Sequence, residues 1–205
     1  MKNRILTLAT IAILGLGSAS YAAPKTAVAT EKTEVSTVLQ DINKISKIEV
    51  HGNVELYISN GTTDQVKVYN RYYAESALVQ SKNGVLRISS YSDQKLVVWV
   101  TAYDLRSVAV YDNAELKSFG KLSAMDLDVT LNNNAYANLD LDGFSANITV
   151  NDCAKADLAG DVTECSLKYN HAATVNSTEF VSANIVRTVS NAGGYKNADR
   201  ELVDL

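Results

Sequence analysis

Proline is almost missing from this sequence: among 205 residues there is one, Pro24, and none after it. Each proline removes a ladder donor, so a proline-free body suits a sheet in which nearly every N–H is used. Histidine is equally scarce, at His51 and His171. Nucleophilic catalysis needs a base beside the nucleophile, most often histidine, so a Ser-His-Asp arrangement finds no support. Cysteine occurs twice, at Cys153 and Cys165. Without paired histidines they make no zinc site. In an oxidising compartment they permit one disulfide. Equally, Cys165 shares an apolar register with Leu167 and Tyr169, which suits a small core residue. There is no phosphate-cradling glycine loop and no dinucleotide fingerprint. The body also lacks an amphipathic helix of useful length and any apolar run near the roughly 20 residues that cross a bilayer.

What is present begins with a leader. Lys2 and Arg4 precede an uncharged run from Ile5 to Leu16, followed by small residues up to Ala22. That is the pattern of a secretory signal peptide, predicted over residues 1–22 with cleavage after Ala22. The uncharged run is too short for a membrane anchor. No cysteine lies near the cleavage point, so the lipoprotein pattern is missing. Residues 23–40, rich in Ala, Thr, Lys and Glu, read as a flexible lead-in, and residues 41–205 as one domain. The leader takes two of 19 basic residues and none of 23 acidic ones, leaving 17 against 23, a net charge near −6. Such a surface carries no footprint for nucleic acid or anionic lipid.

A short phrase recurs through the second half. It reads Val-Tyr-Asp-Asn-Ala-Glu-Leu from Val110, Leu-Asn-Asn-Asn-Ala-Tyr-Ala from Leu131, and Val-Asn-Asp-Cys-Ala-Lys-Ala from Val150. It returns as Tyr-Asn-His-Ala-Ala-Thr-Val from Tyr169 and, degenerate, as Val-Ser-Asn-Ala-Gly-Gly-Tyr from Val189. The fifth position falls at Ala114, Ala135, Ala154, Ala173 and Gly193, a nearly constant spacing. Around each phrase apolar residues lie two apart: Leu127, Val129 and Leu131 before one, Ala135, Ala137 and Leu139 after it. Period two puts one face of a strand in the core and the other in water. A repeat of about 20 residues built of such strands predicts an all-β fold with one coil per repeat. The architecture expected is a single-stranded right-handed β-helix, a β-solenoid.

The phrase itself marks a corner. Its third position holds Asp112, Asn133, Asp152, His171 and Asn191, and Gly52 in an earlier copy that runs from Val50 to Leu56. Asp, Asn and Gly are the residues that best tolerate positive φ. The second position offers Asn132, Asn151 and Asn170, which stacked coils would bring into a hydrogen-bonded amide column. Together these residues predict a structural corner ladder; the functional alternative for the row is metal or ligand binding. The stretch from Val54 to Ala114 leaves room for three coils. Intervening copies are poor, and Asn60-Gly61 and Asn83-Gly84 are turn signals, so the amino-terminal side equally fits extended strands and longer hairpins. Residues 96–101 are the most apolar strand candidate. The charged stretch over residues 195–205 reads as a cap on the last coil.

Several segments resemble the bacterial putative auto-transporter adhesin, head GIN domain family. They are Ile-Glu-Val-His-Gly-Asn-Val-Glu-Leu from Ile48, Val-Lys-Val from Val66, Gly-Val-Leu-Arg-Ile from Gly84, Val-Val-Trp-Val-Thr from Val97 and Asp-Leu-Arg-Ser-Val from Asp104. The coils from residue 110 to 194 resemble that family's repeats, so the likeness covers nearly the whole mature chain. The resemblance implies an exported β-solenoid, commonly from Gram-negative bacteria, with no established activity and no catalytic residue to carry over. Family corners commonly hold small residues where this chain has Asp112, Asn133, Asp152 and His171, and the family's proline near residues 101–103 is absent.

Three functional classes remain. The first is a non-catalytic binding protein of the cell envelope, periplasmic, surface-exposed or secreted, with no cofactor and a protein or glycan as partner. Tyr72, Tyr73, Tyr91, Trp99, Tyr103, Tyr111 and Tyr136 lie among polar neighbours and would stack on such a partner, or else pack over the first coil. The second is a carbohydrate-active protein that uses outward Asp residues. Asp126 with Asp128, and Asp140 with Asp142, project two apart and are the weak candidates for Ca²⁺. The third is a purely structural envelope protein.

Overall fold

A computed structural model of the chain describes residues 36–39, 42, 44–69 and 77–190. Among them there are thirteen strands and no helix, joined in one open, curled sheet. The signal peptide, Tyr72, Tyr73, Asn191 and the carboxy-terminal cap lie outside the described residues.

The amino-terminal strands are β1 (Ser36–Leu39), β2 (Lys47–Gly52), β3 (Val54–Asn60), β4 (Gln65–Tyr69), β5 (Ala77–Lys82), β6 (Val85–Ser90) and β7 (Leu96–Ala102). The remainder are β8 (Ser107–Val110), β9 (Glu115–Ser118), β10 (Leu122–Leu131), β11 (Tyr136–Val150), β12 (Lys155–Asn170) and β13 (Thr174–Ser190). Period two is clearest in β7, where Leu96, Val98, Val100 and Ala102 are buried while the residues between are half-exposed.

From β8 onward every ladder is parallel. Asp128 pairs with Ser107, Asn147 with Asp128, Ser166 with Asn147, and Val186 with Ser166. Those ladder offsets equal the successive spacings of the phrase, so each repeat pairs in register with the next. Parallel pairing in register turns period-two faces into continuous apolar columns. One column runs Ile88, Val50, Val110, Leu131 and Val150, all buried. Another runs Val98, Leu56, Leu116, Ala137 and Ala156. Burying each Leu, Ile or Val in such a column is worth about 1.5–3 kcal/mol.

The amino-terminal side departs from the coil count that the stretch from Val54 to Ala114 allows. β2 and β3 lie directly against β8 and β9, with Lys47 opposite Ser107 and Leu56 opposite Leu116. The intervening chain crosses to the far side instead, where β6 pairs with β2 and β7 with β3. Three antiparallel pairings finish that end: β5 on β6, β4 on β7 and β1 on β4. β1 places residues 36–39 in the sheet.

The two Asn-Gly signals play different parts. Asn83 (φ 52°) and Gly84 (φ 80°) close the β5–β6 hairpin as a two-residue turn, both with the positive φ that turn type requires. Asn60-Gly61 closes no hairpin, because β3 has β7 rather than β4 as its neighbour. Gly61 is needed there for space: a Cβ would lie 2.2 Å from the Thr101 Cγ2 methyl.

Candidate functional site

Two places gather the residues singled out by sequence: a row of corners and a groove.

At the corners, turns over residues 111–114, 132–135, 151–154 and 170–173 each close with the fourth residue's N–H donating to the first residue's carbonyl, at 3.1–3.3 Å. The third phrase position has positive φ at Gly52 (82°), Asp112 (60°), Asn133 (60°) and Asp152 (54°). Each side chain in that row satisfies the backbone of the adjacent tier. The Asp112 carboxylate accepts the Gly52 N–H at 3.0 Å, Asn133 Oδ1 accepts the Asp112 N–H at 3.1 Å, and the Asp152 carboxylate accepts the Asn133 N–H at 2.9 Å. Behind it, Asn151 Nδ2 donates to Asn132 Oδ1 at 2.9 Å. The last two positions differ from the expected ladder. Asn170 turns onto its own corner, its Oδ1 accepting from the N–H groups of Ala172 and Ala173, and His171 does not share the positive φ.

Cys153 and Cys165 are both free thiols, so the disulfide that their number permits is not formed. Their directions explain it: Cys153 is exposed at a corner, whereas Cys165 faces the core in line with Ala146. Burial pushes the Cys165 thiol pKa up.

Most of the aromatics pack on the protein itself. Trp99 stacks on Tyr57 with ring centres 4.7 Å apart and meets Phe119 at 4.9 Å. Tyr111 lies flat on His51 at 4.4 Å, and the Tyr136 hydroxyl donates to Asp157 at 2.6 Å, which raises the phenol's pKa. Beside Tyr57, Lys117 bridges Glu55 and Glu115 at 2.5 and 2.9 Å, and Lys95 also pairs with Glu115. Hydrogen bonds to the two glutamates hold the Lys117 pKa above its ordinary value. Partial burial works to raise the Glu55 pKa, but Lys117 and Tyr57 outweigh it and the net shift is downward. This wall is a cross-strand network joining β7, β3 and β9.

The groove lies where the connection from β7 to β8 meets the first halves of β10 and β11. It is open, about 810 Å³, and its lining includes Tyr103, Arg106, Met125, Asp126, Asp142 and Phe144. Asp104 and Asp128 border it too. Thus three of the four outward aspartates converge, but Asp140 does not: it stands half-buried on β11, its N–H donating to Ser118 Oγ at 2.9 Å. Register sets three of the four opposite uncharged residues, since Asp126 faces Ser145, Asp128 faces Asn147 and Asp140 faces Ala159 across their ladders, while Asp142 faces Asp161. Among the described residues, no three His, Cys, Asp or Glu side chains gather to hold a metal.

Inside the groove the charges are unequally used. Asp104 takes a two-pronged contact from Arg106, at 3.2 and 2.9 Å, which holds its carboxyl below the usual range. Asp128 accepts the Asn147 amide at 2.9 Å. Tyr103, Met125 and Phe144 are 72%, 74% and 46% exposed. Sequence reasoning missed Arg106, Met125, Phe144 and also Asp161, which faces Asp142 on the next tier. A signal existed: Met125 and Phe144, like Asp142 and Asp161, are one repeat apart.

This all-β chain of stacked parallel tiers belongs to the family described as putative auto-transporter adhesin, head GIN domain, whose model matches residues 44–204. Among solved structures it is similar to a putative adhesin from Bacteroides fragilis, at 13% identity over 77% of this chain and 76% of that one, with a TM-score of 0.66. A putative adhesin from Parabacteroides merdae gives 13% identity, 77% and 78% coverage and a TM-score of 0.63. A putative lipid binding protein from Parabacteroides distasonis gives 7% identity, 76% and 78% coverage and a TM-score of 0.59. At such identities the likeness is one of fold. No curated protein matches the chain. No helix among the described residues is long and apolar enough to cross a membrane.

Proposed function

We propose that this protein is an exported, non-catalytic binding protein of the cell envelope, a right-handed β-solenoid from β8 onward whose corner ladder is structural and whose partner is a protein or glycan. Membership of an adhesin-described family supports the binding role. The observation that carries it is the groove, where exposed Tyr103, Met125 and Phe144 stand beside carboxylates on a rigid sheet. Large apolar side chains left outward on an alternating strand mark interaction surfaces. The two histidines do not line that groove, so the acid–base groups there are carboxylates and the Tyr103 phenol. Neither a metal nor a cofactor is needed for such binding.

A tagged full-length chain expressed in a Gram-negative host tests export. The expected result is a product in the envelope or medium that begins at Ala23; an unprocessed product in the cytoplasm would refute it. The purified chain on glycan and envelope-protein arrays tests binding. The second reading, a carbohydrate-active protein, draws on Asp126 and Asp142 in the same groove. Turnover of an acidic polysaccharide that Asp126→Asn or Asp142→Asn abolishes would replace the binding reading with that one.

A further inference from the structure

We infer that the groove takes one kind of partner: an extended protein segment in which basic side chains alternate with apolar ones. The inference rests on the binding reading above and names its ligand chemistry.

Charge selects the sign. The Arg106 cation is engaged by Asp104 and also attracts Asp126, and Lys44 reaches the Asp104 carboxylate at 3.9 Å. Asp126, Asp128 and Asp142 remain as net negative charge in the lining. Asp128 spends one lone pair on Asn147, while no hydrogen bond from a described residue engages Asp126 or Asp142. An acidic polysaccharide, a phosphorylated group or an anionic lipid surface would meet uncompensated repulsion there. Lysine and arginine side chains would find acceptors.

The apolar side chains select the rest. Met125, Phe144 and Tyr103 gain nothing from solvent, and a small hydrophilic cation would leave all three uncovered. Unlike Phe119, which is also exposed but packs on Trp99, Phe144 stacks on no other aromatic ring among the described residues. Apolar side chain and carboxylate lie close along each strand, with Met125 next to Asp126 and Phe144 two positions after Asp142. An extended peptide sends successive side chains to opposite sides, so a Lys/Leu alternation offers one cationic edge for the carboxylates and one apolar edge for Met125, Phe144 and Tyr103. Methionine adds a surface that repacks around different apolar side chains.

The test uses the purified full chain and three labelled octapeptides, of alternating Lys-Leu, Glu-Leu and Lys-Ser, with binding read by fluorescence anisotropy. Lys-Leu should bind, Lys-Ser about tenfold more weakly, and Glu-Leu not at all. Raising salt from about 50 to 500 mM should weaken Lys-Leu about tenfold, because the pairs are exposed and screened. Asp126→Asn with Asp142→Asn should weaken it about tenfold and flatten the salt dependence. Met125→Ser with Phe144→Ser should weaken it as much and leave the salt dependence unchanged. All four positions are exposed, and an unchanged melting temperature checks folding. Equal binding of Glu-Leu, or full affinity in either double variant, overturns the inference. If array partners still bind and ignore all four substitutions, the basic-segment proposal falls while the binding reading stands. If nothing on the arrays binds, the binding reading falls as well.

Discussion

Replacing Asp152 is the sharpest test of the corner row. Its residue does two separable things: it adopts φ of 54°, and its carboxylate accepts the Asn133 N–H at 2.9 Å. Alanine loses both. The left-handed conformation costs an ordinary L-residue about 1–2 kcal/mol. The lost hydrogen bond costs about 0.5–1.5 kcal/mol, toward the lower end here because the corner is exposed and water replaces the acceptor. Asp152→Ala should therefore destabilise by about 2 kcal/mol, the sum of the two effects. Glycine accepts the φ and loses only the acceptor and some chain entropy, so Asp152→Gly should cost about 1 kcal/mol. Asparagine keeps the φ tolerance and an acceptor oxygen, so Asp152→Asn should stay within about 0.5 kcal/mol. For a domain of this size about 1 kcal/mol moves Tm by about 2–4 °C, so alanine should lower it by about 4–8 °C. Thermal unfolding followed by circular dichroism reads all three variants. An alanine variant no less stable than the glycine one would refute the φ argument. An asparagine variant as unstable as alanine would refute the hydrogen-bond argument.

Acid should loosen the wall around Lys117. The folded pKa values of Glu55 and Glu115 lie below their ordinary 4.5. A depressed carboxyl contributes stability that is present above the unfolded value and lost as pH falls through the folded one. Tm should hold near neutral pH and drop below about pH 4.5, less steeply in Glu55→Gln; an identical pH profile in that variant contradicts the assignment. Gly61→Ala should cost about 1–3 kcal/mol through its clash with the Thr101 methyl, and Thr101→Ser should recover much of that loss in urea unfolding of the double variant. A thiol reagent should label Cys153 in the native protein and Cys165 only on unfolding; fast labelling of both would show that the β12 face carrying Cys165 is not buried.

Strand identity was legible because the chain alternates so strictly. Leu127, Val129 and Leu131 announce the inward face of β10, and the phrase intervals state each ladder's offset before any coordinate. The groove was harder. Asp126, Asp128 and Asp142 stood out by themselves, whereas Asp104 and Arg106 entered only within the family-like segment Asp-Leu-Arg-Ser-Val. Nothing local says that the connection after β7 folds back beside β10. Met125 and Phe144 lie one repeat apart, and only the parallel ladder of β10 and β11 sets them side by side.

By itself, then, the order of residues determined which side chains face inward, where the chain turns a corner and how far apart successive tiers lie. Those are local properties: alternation follows from the two-residue period of a strand, and a corner needs a residue that accepts positive φ. Only the tertiary structure decided that β2 and β3 sit against β8 and β9, that β3 and β4 flank β7 instead of pairing, and that three aspartates share one groove. A strand edge offers the same N–H and C=O groups to any partner. Which partner it receives depends on the fit of apolar columns brought together from distant parts of the chain, and no local pattern encodes that choice.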